Sequence, residues 1–550
     1  MLSLMRRVKG VTPRPTDVIE DLLEADYHRL LRLGLAGMRM TVYSEKNRYE
    51  THISRIARGA GITFFGQGLS KALTYTTQVA LARFYGPTQL GFYVLGLTLV
   101  QVAYVLAQFG MDNGVVRYVA RYQAEGDDSR VRGTILLALW ATLALSVLLS
   151  GLIFFGSGFL AGVYDKPFLD TVFRTFSVAV PFFALMGIAL WATQGFQTMK
   201  YTAYVQQILQ PLVALVFIVV FYLIGTQILG AVAAFILSGA VGAALAIFYL
   251  IRIYPKLLDR STSPTFEPRA LFSVSGPMAV AELARQMSFW APVTMLGIFS
   301  TAEAVGVYSA AARTAAFCSL ILMAFTGIFS PMVSNLYQRG LLDDLAHLYK
   351  DVCRWVFTGS LAVVLLTVLL ATDIMAVFGE EFIAGWIVIS IIAGSELFDN
   401  SAGPADRLLA MTGRHRIVMF VTLSYAATAF TASLALAPLY GMVGAAMATA
   451  IANVVLNATM LLFVWRLLGI WPYDYRYLKP LAAGLVAVTV ALAIKLVLAL
   501  PVGLPAILVL TVPFLVSFVV ALLALGLSPS DRQLVEVCWK AIRQTVWRRP

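Results

Sequence analysis

Long apolar stretches recur along the chain, and they constrain the fold more than any other feature of the sequence. Each covers the roughly 20 residues that an α-helix needs to cross the ~30 Å hydrocarbon core of a bilayer. Hydrophobic residues make up 59% of the sequence and charged residues only 13%, whereas soluble domains carry about 25% charged residues. The stretches are continuous and do not alternate over ~10 residues, so they favour helices over a membrane β-barrel. We predict an all-α polytopic membrane protein with about fourteen transmembrane helices, at 59–83, 91–112, 133–157, 169–194, 204–225, 229–251, 271–299, 304–333, 354–372, 384–403, 417–437, 441–465, 479–500 and 503–526.

Basic residues are concentrated in alternate loops between these predicted helices. Arg117 and Arg121 lie in one such loop, and Arg252 and Lys256 lie in another. The remaining loops are short and nearly free of Lys and Arg, with Lys166 as the exception. The positive-inside rule therefore predicts a multi-pass protein of the cell (inner) membrane with both termini in the cytoplasm. The net charge of +12 is accounted for by these orientation signals, so we predict no nucleic-acid partner.

The chain contains an internal repeat with an offset of 215 residues that later slips to 214. Gly91 matches Gly306, and Tyr93 matches Tyr308. Glycines, loop aromatics and loop cations fall at equivalent points of the two copies. We therefore predict two repeated six-helix halves around a central cavity, a parallel repeat of the kind that transporters use, followed by two extra C-terminal helices.

These patterns divide the chain into six segments. They are a basic cytoplasmic N-terminal segment, the first half, a cytoplasmic linker, the second half, two extra transmembrane helices and a basic amphipathic tail, at 1–58, 59–251, 252–270, 271–466, 467–527 and 528–550. The tail is suited to lie on an anionic inner leaflet, although a solvated tail without function fits its composition equally well.

Short segments with glycines, prolines and aromatic residues recur in a fixed order across both halves. They include LARFYGPTQLGFYVLG (81–96), FGMDNGVVRYVARY (109–122), TQGFQTMKY (193–201), LFSVSGPMAV (271–280), SPMVSNLYQRG (330–340) and MVGAAMATAIA (442–452). With these segments the chain resembles, over about 55–527, the polysaccharide-transporter (oligosaccharide flippase) branch of the multidrug/oligosaccharidyl-lipid/polysaccharide exporter (MOP) superfamily. The resemblance implies a flippase that moves a polyprenyl-diphosphate-linked oligosaccharide from the cytoplasmic to the outer leaflet by alternating access, for envelope or extracellular polysaccharide synthesis.

Cations at membrane depth are the first candidates for a substrate site, because a charge at the bilayer centre costs at least ~2.5–3.5 kcal/mol on insertion scales. Lys71 lies near the middle of the first predicted helix, and Arg285 and Arg313 lie within the seventh and eighth. Arginine binds phosphate through its bidentate fork and lysine through a point charge. We predict that these three residues bind the diphosphate.

Uncharged polar residues accompany the cations at helical spacing. The predicted sugar-binding residues are those on the helix faces of Lys71 and Arg285, namely Gln67, Tyr75, Gln78 and Gln286. An alternative stays open, in which Arg285 pairs with Glu282 and the glutamines hydrogen-bond neighbouring helices. Lys495, near a helix end, is expected to extend its ammonium to the interface.

Two acids on the tenth predicted helix, Glu396 and Asp399, are candidates for coupling to a proton or sodium ion. The sequence contains no P-loop and no histidine or cysteine spacing typical of a metal site, so we predict no cofactor and no metal. It also contains no large outer loop to hold a glycosyl-transfer site, so we predict no enzyme activity. The expected partners are the lipid-linked oligosaccharide, membrane lipids and polysaccharide polymerase and chain-length machinery. Two other interpretations stay open: a multidrug or cation antiporter of the same superfamily, and a non-transporting membrane scaffold of a polysaccharide assembly complex.

Overall fold

The computed structural model describes residues 68–526 except Arg260 and Thr262, together with Asp531 and Arg532. Every regular element in this part of the chain is a helix, which confirms the predicted all-α class. The predicted N-terminal segment, Gln67, and all of the tail except Asp531 and Arg532 lie outside the described residues.

Eleven of the described helices are long and apolar enough to cross a membrane. Three of the eleven contain a glycine with positive φ. In two of these three, such a glycine lies where two predicted spans meet: Gly86 with φ of 77° and Gly441 with φ of 55°. Residues other than glycine rarely adopt this conformation, and it interrupts the regular helix. The breaks at Gly86 and Gly441 therefore each divide one long helix into two spans. The predicted seventh span is the additional helix Pro268–Phe299. The polytopic architecture with about fourteen spans is therefore confirmed.

The first half comprises α1 (68–85), α2 (87–108), α3 (Met111–Glu125), α4 (Asp128–Val163), α5 (Phe168–Ser177), α6 (Ala179–Gly195), α7 (Lys200–Thr202), a π-helix (Ala203–Leu209), α8 (Gln210–Leu223) and α9 (Ile228–Ile253). The second half comprises α10 (Pro268–Phe299), α11 (Ala302–Ala315), α12 (Leu320–Gln338), α13 (Leu342–Leu369), α14 (Ala371–Phe378), α15 (Trp386–Ala402), α16 (Ala405–Met411) and α17 (His415–Leu468). Two further helices follow, α18 (Leu478–Val497) and α19 (Leu504–Ala524). The 3₁₀ turns are Pro255–Leu257, Ala316–Ser319, Glu380–Gly385 and Tyr475–Tyr477.

The spanning helices alternate in direction, so their connections lie on two opposite faces of the bundle. We call one the basic face, with connections at 126–127, 254–267, 339–341 and 412–414. The other is the acidic face, with connections at 164–167, 224–227, 300–301 and 379–385. Contacts within each face agree with this arrangement. On the basic face, for example, the Thr265 N–H donates to the Ser129 carbonyl at 3.0 Å.

The two halves meet where α2 crosses its repeat equivalent α11, and α10 adds a further contact with α2. Near the acidic face α2 crosses α11 at Gly91 and Gly306, where a Cβ on Gly306 would lie 2.0 Å from the Pro87 carbonyl oxygen. Deeper in the bundle the Trp290 indole of α10 donates to the Gln101 side chain of α2 at 3.0 Å. The predicted two-half architecture is thus visible as a symmetric crossing of equivalent helices.

Cations from the first half also donate to backbone carbonyls of the second half at the acidic face. The Arg83 guanidinium donates to the carbonyls of Val377 at 2.7 Å and Ala376 at 2.9 Å, near the C-terminus of α14. The Lys166 ammonium donates to the Gly297 carbonyl near the end of α10 at 2.7 Å. Helix C-termini leave carbonyls without intrahelical partners and carry partial negative charge, so both contacts are favourable.

The two extra helices pack on α13, with small and aromatic residues such as Ala362, Ala487 and Phe514 in one buried cluster. The expected extension of Lys495 to the interface is not what the structure shows. Its ammonium donates to the fully buried Asp373 carboxylate at 2.6 Å. The Gly503 N–H donates to the other oxygen of Asp373 at 3.1 Å. A buried carboxylate needs such partners, which explains why Lys495 turns inward.

Candidate functional site

A cavity of about 270 Å³ lies inside the first half, next to the boundary with the second. It follows α2 from Leu90 to Tyr104, about 21 Å of helix at 1.5 Å per residue. Helices α1, α6, α8 and α9 and the π-helix complete the wall. The polar side chains that line it are Thr74, Thr77, Gln78, Tyr93, Gln101, Tyr104, Gln206, Gln210 and Arg313. We call this space the first-half cavity.

Four glutamines give the first-half cavity its hydrogen-bonding character. Gln78 is only 4% exposed, and neither its amide nitrogen nor its oxygen has a partner among the described residues. Gln101 accepts from Trp290, and Gln210 donates to the Ser238 hydroxyl at 3.0 Å. These bonds use the Gln101 oxygen and the Gln210 nitrogen, and they leave the Gln101 nitrogen and the Gln210 oxygen uninvolved. Buried amides without partners are rare and costly, so the cavity has capacity to bind a polar ligand.

Gln206 and Gln210 are four residues apart and so lie on one face of their helix, and a π-helical turn lies at this point. The Gln210 N–H bonds to the Val205 carbonyl, five residues earlier instead of four. Pro211 follows directly, and in a regular helix its ring would clash with the Gln207 carbonyl. A widened turn relieves this clash, and such turns are frequent at functional sites.

Arg313 is the charged residue of the cavity lining, and it comes from α11 of the second half. It is half-buried beside the buried ring of Tyr93. No salt bridge joins Arg313 to another residue of the described chain. A guanidinium at this depth without a carboxylate is available to an anionic ligand.

The predicted residues of α1 are divided between two environments. Gln78 lines the first-half cavity, whereas Lys71 lies within electrostatic range of Glu396 on α15 of the second half. The Tyr75 ring makes edge contacts with Phe317 and Phe378, at centroid distances of 5.2 and 5.5 Å. The structure brings Gln78 and Arg313 together but does not place Lys71 or Tyr75 in the lining of that cavity.

Glu396 and Asp399 lie together in the second half, in a polar cluster near Lys71. The Asn457 amide donates to the Asp399 carboxylate at 2.8 Å. The two acids and Lys71 carry a summed charge of −1 when all three are ionised. That surplus negative charge inside the bundle favours a bound cation or proton. Among the described residues no group of three His, Cys, Asp or Glu side chains has a metal-site arrangement.

Arg285 adopts the arrangement that was the alternative to substrate binding. Its Nε donates to Glu282 at 2.9 Å, and Gln286 donates to the same carboxylate at 2.9 Å. Glu282 is in turn within electrostatic range of Tyr104 on α2. The trio therefore faces the first half on the basic-face side of the bundle. Its charges are mutually compensated.

Sequence reasoning missed Gln101, Gln206 and Gln210, because it ranked residues by charge. One signal was present in the sequence: glutamine occurs at 206, 207 and 210 directly before Pro211, within an otherwise apolar helix. Such clustering of amides at a proline in a membrane span indicates a widened turn that exposes polar groups to a cavity.

Comparisons with known proteins agree with this architecture. The family model described as "Polysaccharide biosynthesis protein" matches residues 56–337. Stage V sporulation protein B of Bacillus subtilis is 23% identical over 406 residues, which cover 69% of this chain and 78% of that protein. The probable low-salt glycan biosynthesis flippase Agl15 of Haloferax volcanii is 26% identical over 37% of this chain and 44% of its own.

Solved structures show the same fold at low sequence identity. Lipid II flippase MurJ in an inward closed conformation has a TM-score of 0.69 at 13% identity, covering 84% of this chain and 98% of that one. An inward-facing multidrug resistance MATE family transporter of the MOP superfamily has a TM-score of 0.60 at 16% identity, with coverages of 72% and 94%.

Proposed function

This chain belongs to the polysaccharide biosynthesis protein family, and we propose that it flips a polyprenyl-diphosphate-linked oligosaccharide from the cytoplasmic to the outer leaflet. It is a flippase-like transporter of the MOP superfamily. The identity of the transported lipid and the direction of its movement are what we propose. The observation that supports the proposed substrate is the single unpaired cation, Arg313, in a cavity otherwise lined by amides, hydroxyls and apolar side chains.

The chemistry of this lining suits a phosphate attached to a sugar. Arg313 supplies charge-assisted hydrogen bonds to phosphate oxygens. The glutamines supply donors and acceptors for hydroxyl groups. The lining contains no carboxylate, so it offers no counter-charge for a cationic drug. This composition favours the flippase over a multidrug antiporter.

A reconstituted transport assay tests the substrate. The protein in liposomes is given undecaprenyl-diphosphate-linked disaccharides that carry a dithionite-reducible fluorophore on the sugar. We expect wild type to expose the inner-leaflet label, and Arg313→Ala to slow this at least about tenfold, because a charge-assisted bond contributes about 1.5–3 kcal/mol. Arg313→Lys keeps part of the rate. Arg174→Ala is the matched control, because Arg174 is exposed and pairs with Asp170 on its own helix.

Two outcomes of this assay would contradict the proposal. The first is wild-type exposure of the label no faster than in protein-free liposomes. The second is a normal rate in well-folded Arg313→Ala. If the protein instead moves a lipophilic cation in exchange for sodium or protons, the antiporter interpretation takes its place.

The direction depends on orientation, and the basic face is the proposed cytoplasmic side. With the interior negative, outward movement of an anion is downhill by roughly 2.3 kcal/mol per charge per 100 mV. In intact cells an impermeant thiol reagent is expected to label Glu380→Cys but not Pro264→Cys in a cysteine-free background. Labelling of Pro264→Cys from outside would reverse the proposed direction.

A further inference from the structure

The first-half cavity contains one feature that phosphate binding does not use, its set of amides. Gln78 is buried and has no hydrogen-bond partner within the described part of the chain, and Gln101 and Gln210 each use one group of the amide on a neighbour. These amides lie on α1, α2 and α8, so three helices each contribute a hydrogen-bonding side chain to the lining of one cavity. Arg313 on α11 lies at the second-half side of that space.

The size of the cavity limits what it holds. Its volume of about 270 Å³ is just below the ~300–1,000 Å³ of pockets for drug-sized ligands. That space fits one sugar unit and is too small for an oligosaccharide. Longer glycans would have to extend out of the cavity.

Aromatic and apolar side chains form the rest of the wall. Phe183 and Phe235 stack at a centroid distance of 4.3 Å, and Tyr93 lies edge-on to Phe235 at 6.4 Å. A pyranose ring presents C–H groups on its faces and hydroxyls at its edge. A pocket with aromatic faces and carboxamides at its edge is complementary to that pattern.

We propose that the first-half cavity is a recognition subsite for one uncharged sugar unit, the unit bonded to the diphosphate, with its hydroxyls on Gln78, Gln101 and Gln210. The inference rests on the proposed function and specifies which part of the substrate the protein recognises. An uncharged unit fits because Arg313 is engaged by the phosphate and the amides carry no charge to bind a second anion. A site built to hydrogen-bond hydroxyls discriminates strongly against a ligand without them.

Binding measurements on the full-length protein in nanodiscs test the proposal. The probes are farnesyl diphosphate alone and farnesyl diphosphate linked to galactose, to N-acetylglucosamine or to glucuronic acid. We expect wild type to bind at least one of the two uncharged glycosyl probes about fivefold or more tightly than farnesyl diphosphate, because each net hydrogen bond adds about 0.5–1.5 kcal/mol. The glucuronic acid probe gains nothing.

Gln78→Leu and Gln210→Leu are expected to reduce this preference to near unity while they retain binding of farnesyl diphosphate. Gln78→Leu should also raise the Tm of the ligand-free protein, because it removes a buried amide that has no partner. A purely structural glutamine would lower the Tm when replaced. Gln227→Leu is the matched control, since Gln227 is exposed on the acidic face and makes no capping hydrogen bond.

The outcomes separate this inference from the proposed function. If wild type binds all four probes equally and Arg313→Ala weakens all four, the diphosphate site stands and the sugar subsite is overturned. The subsite is also overturned if the preference survives in both glutamine variants. If wild type binds none of the probes, the flippase proposal and the subsite are both overturned.

Discussion

Gly91 and Gly306, which the internal repeat equates, meet where the two halves cross. A Cβ on Gly91 would lie 1.7 Å from the Ala302 carbonyl oxygen, and one on Gly306 would lie 3.1 Å from the Gly91 nitrogen. Ala302 is itself the repeat equivalent of Pro87, which contacts Gly306. Each half therefore presents the same backbone surface to the other, and only glycine lets α2 and α11 approach this closely.

Gly306→Leu is expected to force α2 and α11 apart near the acidic face. Overpacking typically costs 1–3 kcal/mol, so the Tm should fall. A cysteine placed at Leu97, in the first-half cavity, should become more reactive toward a soluble thiol reagent. Gly151→Leu on α4 is the control, because nothing lies within 4 Å of a Cβ there. Equal Tm and equal labelling in the two variants would contradict the close crossing.

Arg83→Ala is expected to loosen the acidic face without unfolding the protein. The variant loses both hydrogen bonds to the end of α14 and the charge that faces those carbonyls. Spin labels at Gln227 and Glu303, both exposed on the acidic face of opposite halves, should show a longer distance population by pulsed electron resonance. Arg174→Ala should leave the distribution unchanged. An unchanged distribution in Arg83→Ala would show that this contact does not hold the face closed.

The Lys495–Asp373 pair is expected to attach the last two helices to the second half. Asp373 is fully buried, and removing one partner of a buried ion pair typically costs 3–5 kcal/mol. Asp373→Leu alone should therefore expose the connection between α17 and α18 to protease. Asp373→Leu combined with Lys495→Leu should restore much of the resistance, because no unpaired charge remains. A double variant as sensitive as the single one would contradict this account.

We expect wild-type transport to respond to a proton or sodium gradient, and Glu396→Gln to remove that response. It leaves the cluster with one cation, Lys71, and one carboxylate, Asp399, so no proton or sodium ion is needed to offset surplus charge. The check is the rate of label exposure in liposomes with and without a pH or sodium gradient. Glu303→Gln, on the exposed acidic face, is the control. A Glu396→Gln variant that still responds to the gradient would exclude this acid as the coupling group.

The membrane architecture could be predicted from the sequence because its determinants are local. A helix must satisfy its own backbone in hydrocarbon, so length and hydropathy predict each span. The spacing of glycines revealed the internal repeat. Gly91 and Gly306 show the physical reason, since both are required where the two halves cross. The break at Gly86 falls between two predicted spans, and the break at Gly441 falls at the first residue of the span predicted at 441–465.

The candidate site was predicted only in part because it depends on helix rotation. Lys71 and Gln78 share a face of α1, yet they lie in different environments, since α1 borders both halves. Arg313 was predicted by its charge and lines the cavity. Gln101 and Gln210 carry no charge, so a ranking of residues by the cost of burying a charge passed over both. Only Gln210 has a local signal, the cluster of glutamines before Pro211.

The joint between Asp373 and Lys495 spans 122 positions of the chain. At about 5–20 residues per second, synthesis therefore produces the acid roughly 6–24 s before its lysine partner. During that interval the nascent second half carries a carboxylate whose final burial is not yet possible. The last helix pair thus completes the ion pairing of a buried carboxylate that the rest of the second half leaves without its cation.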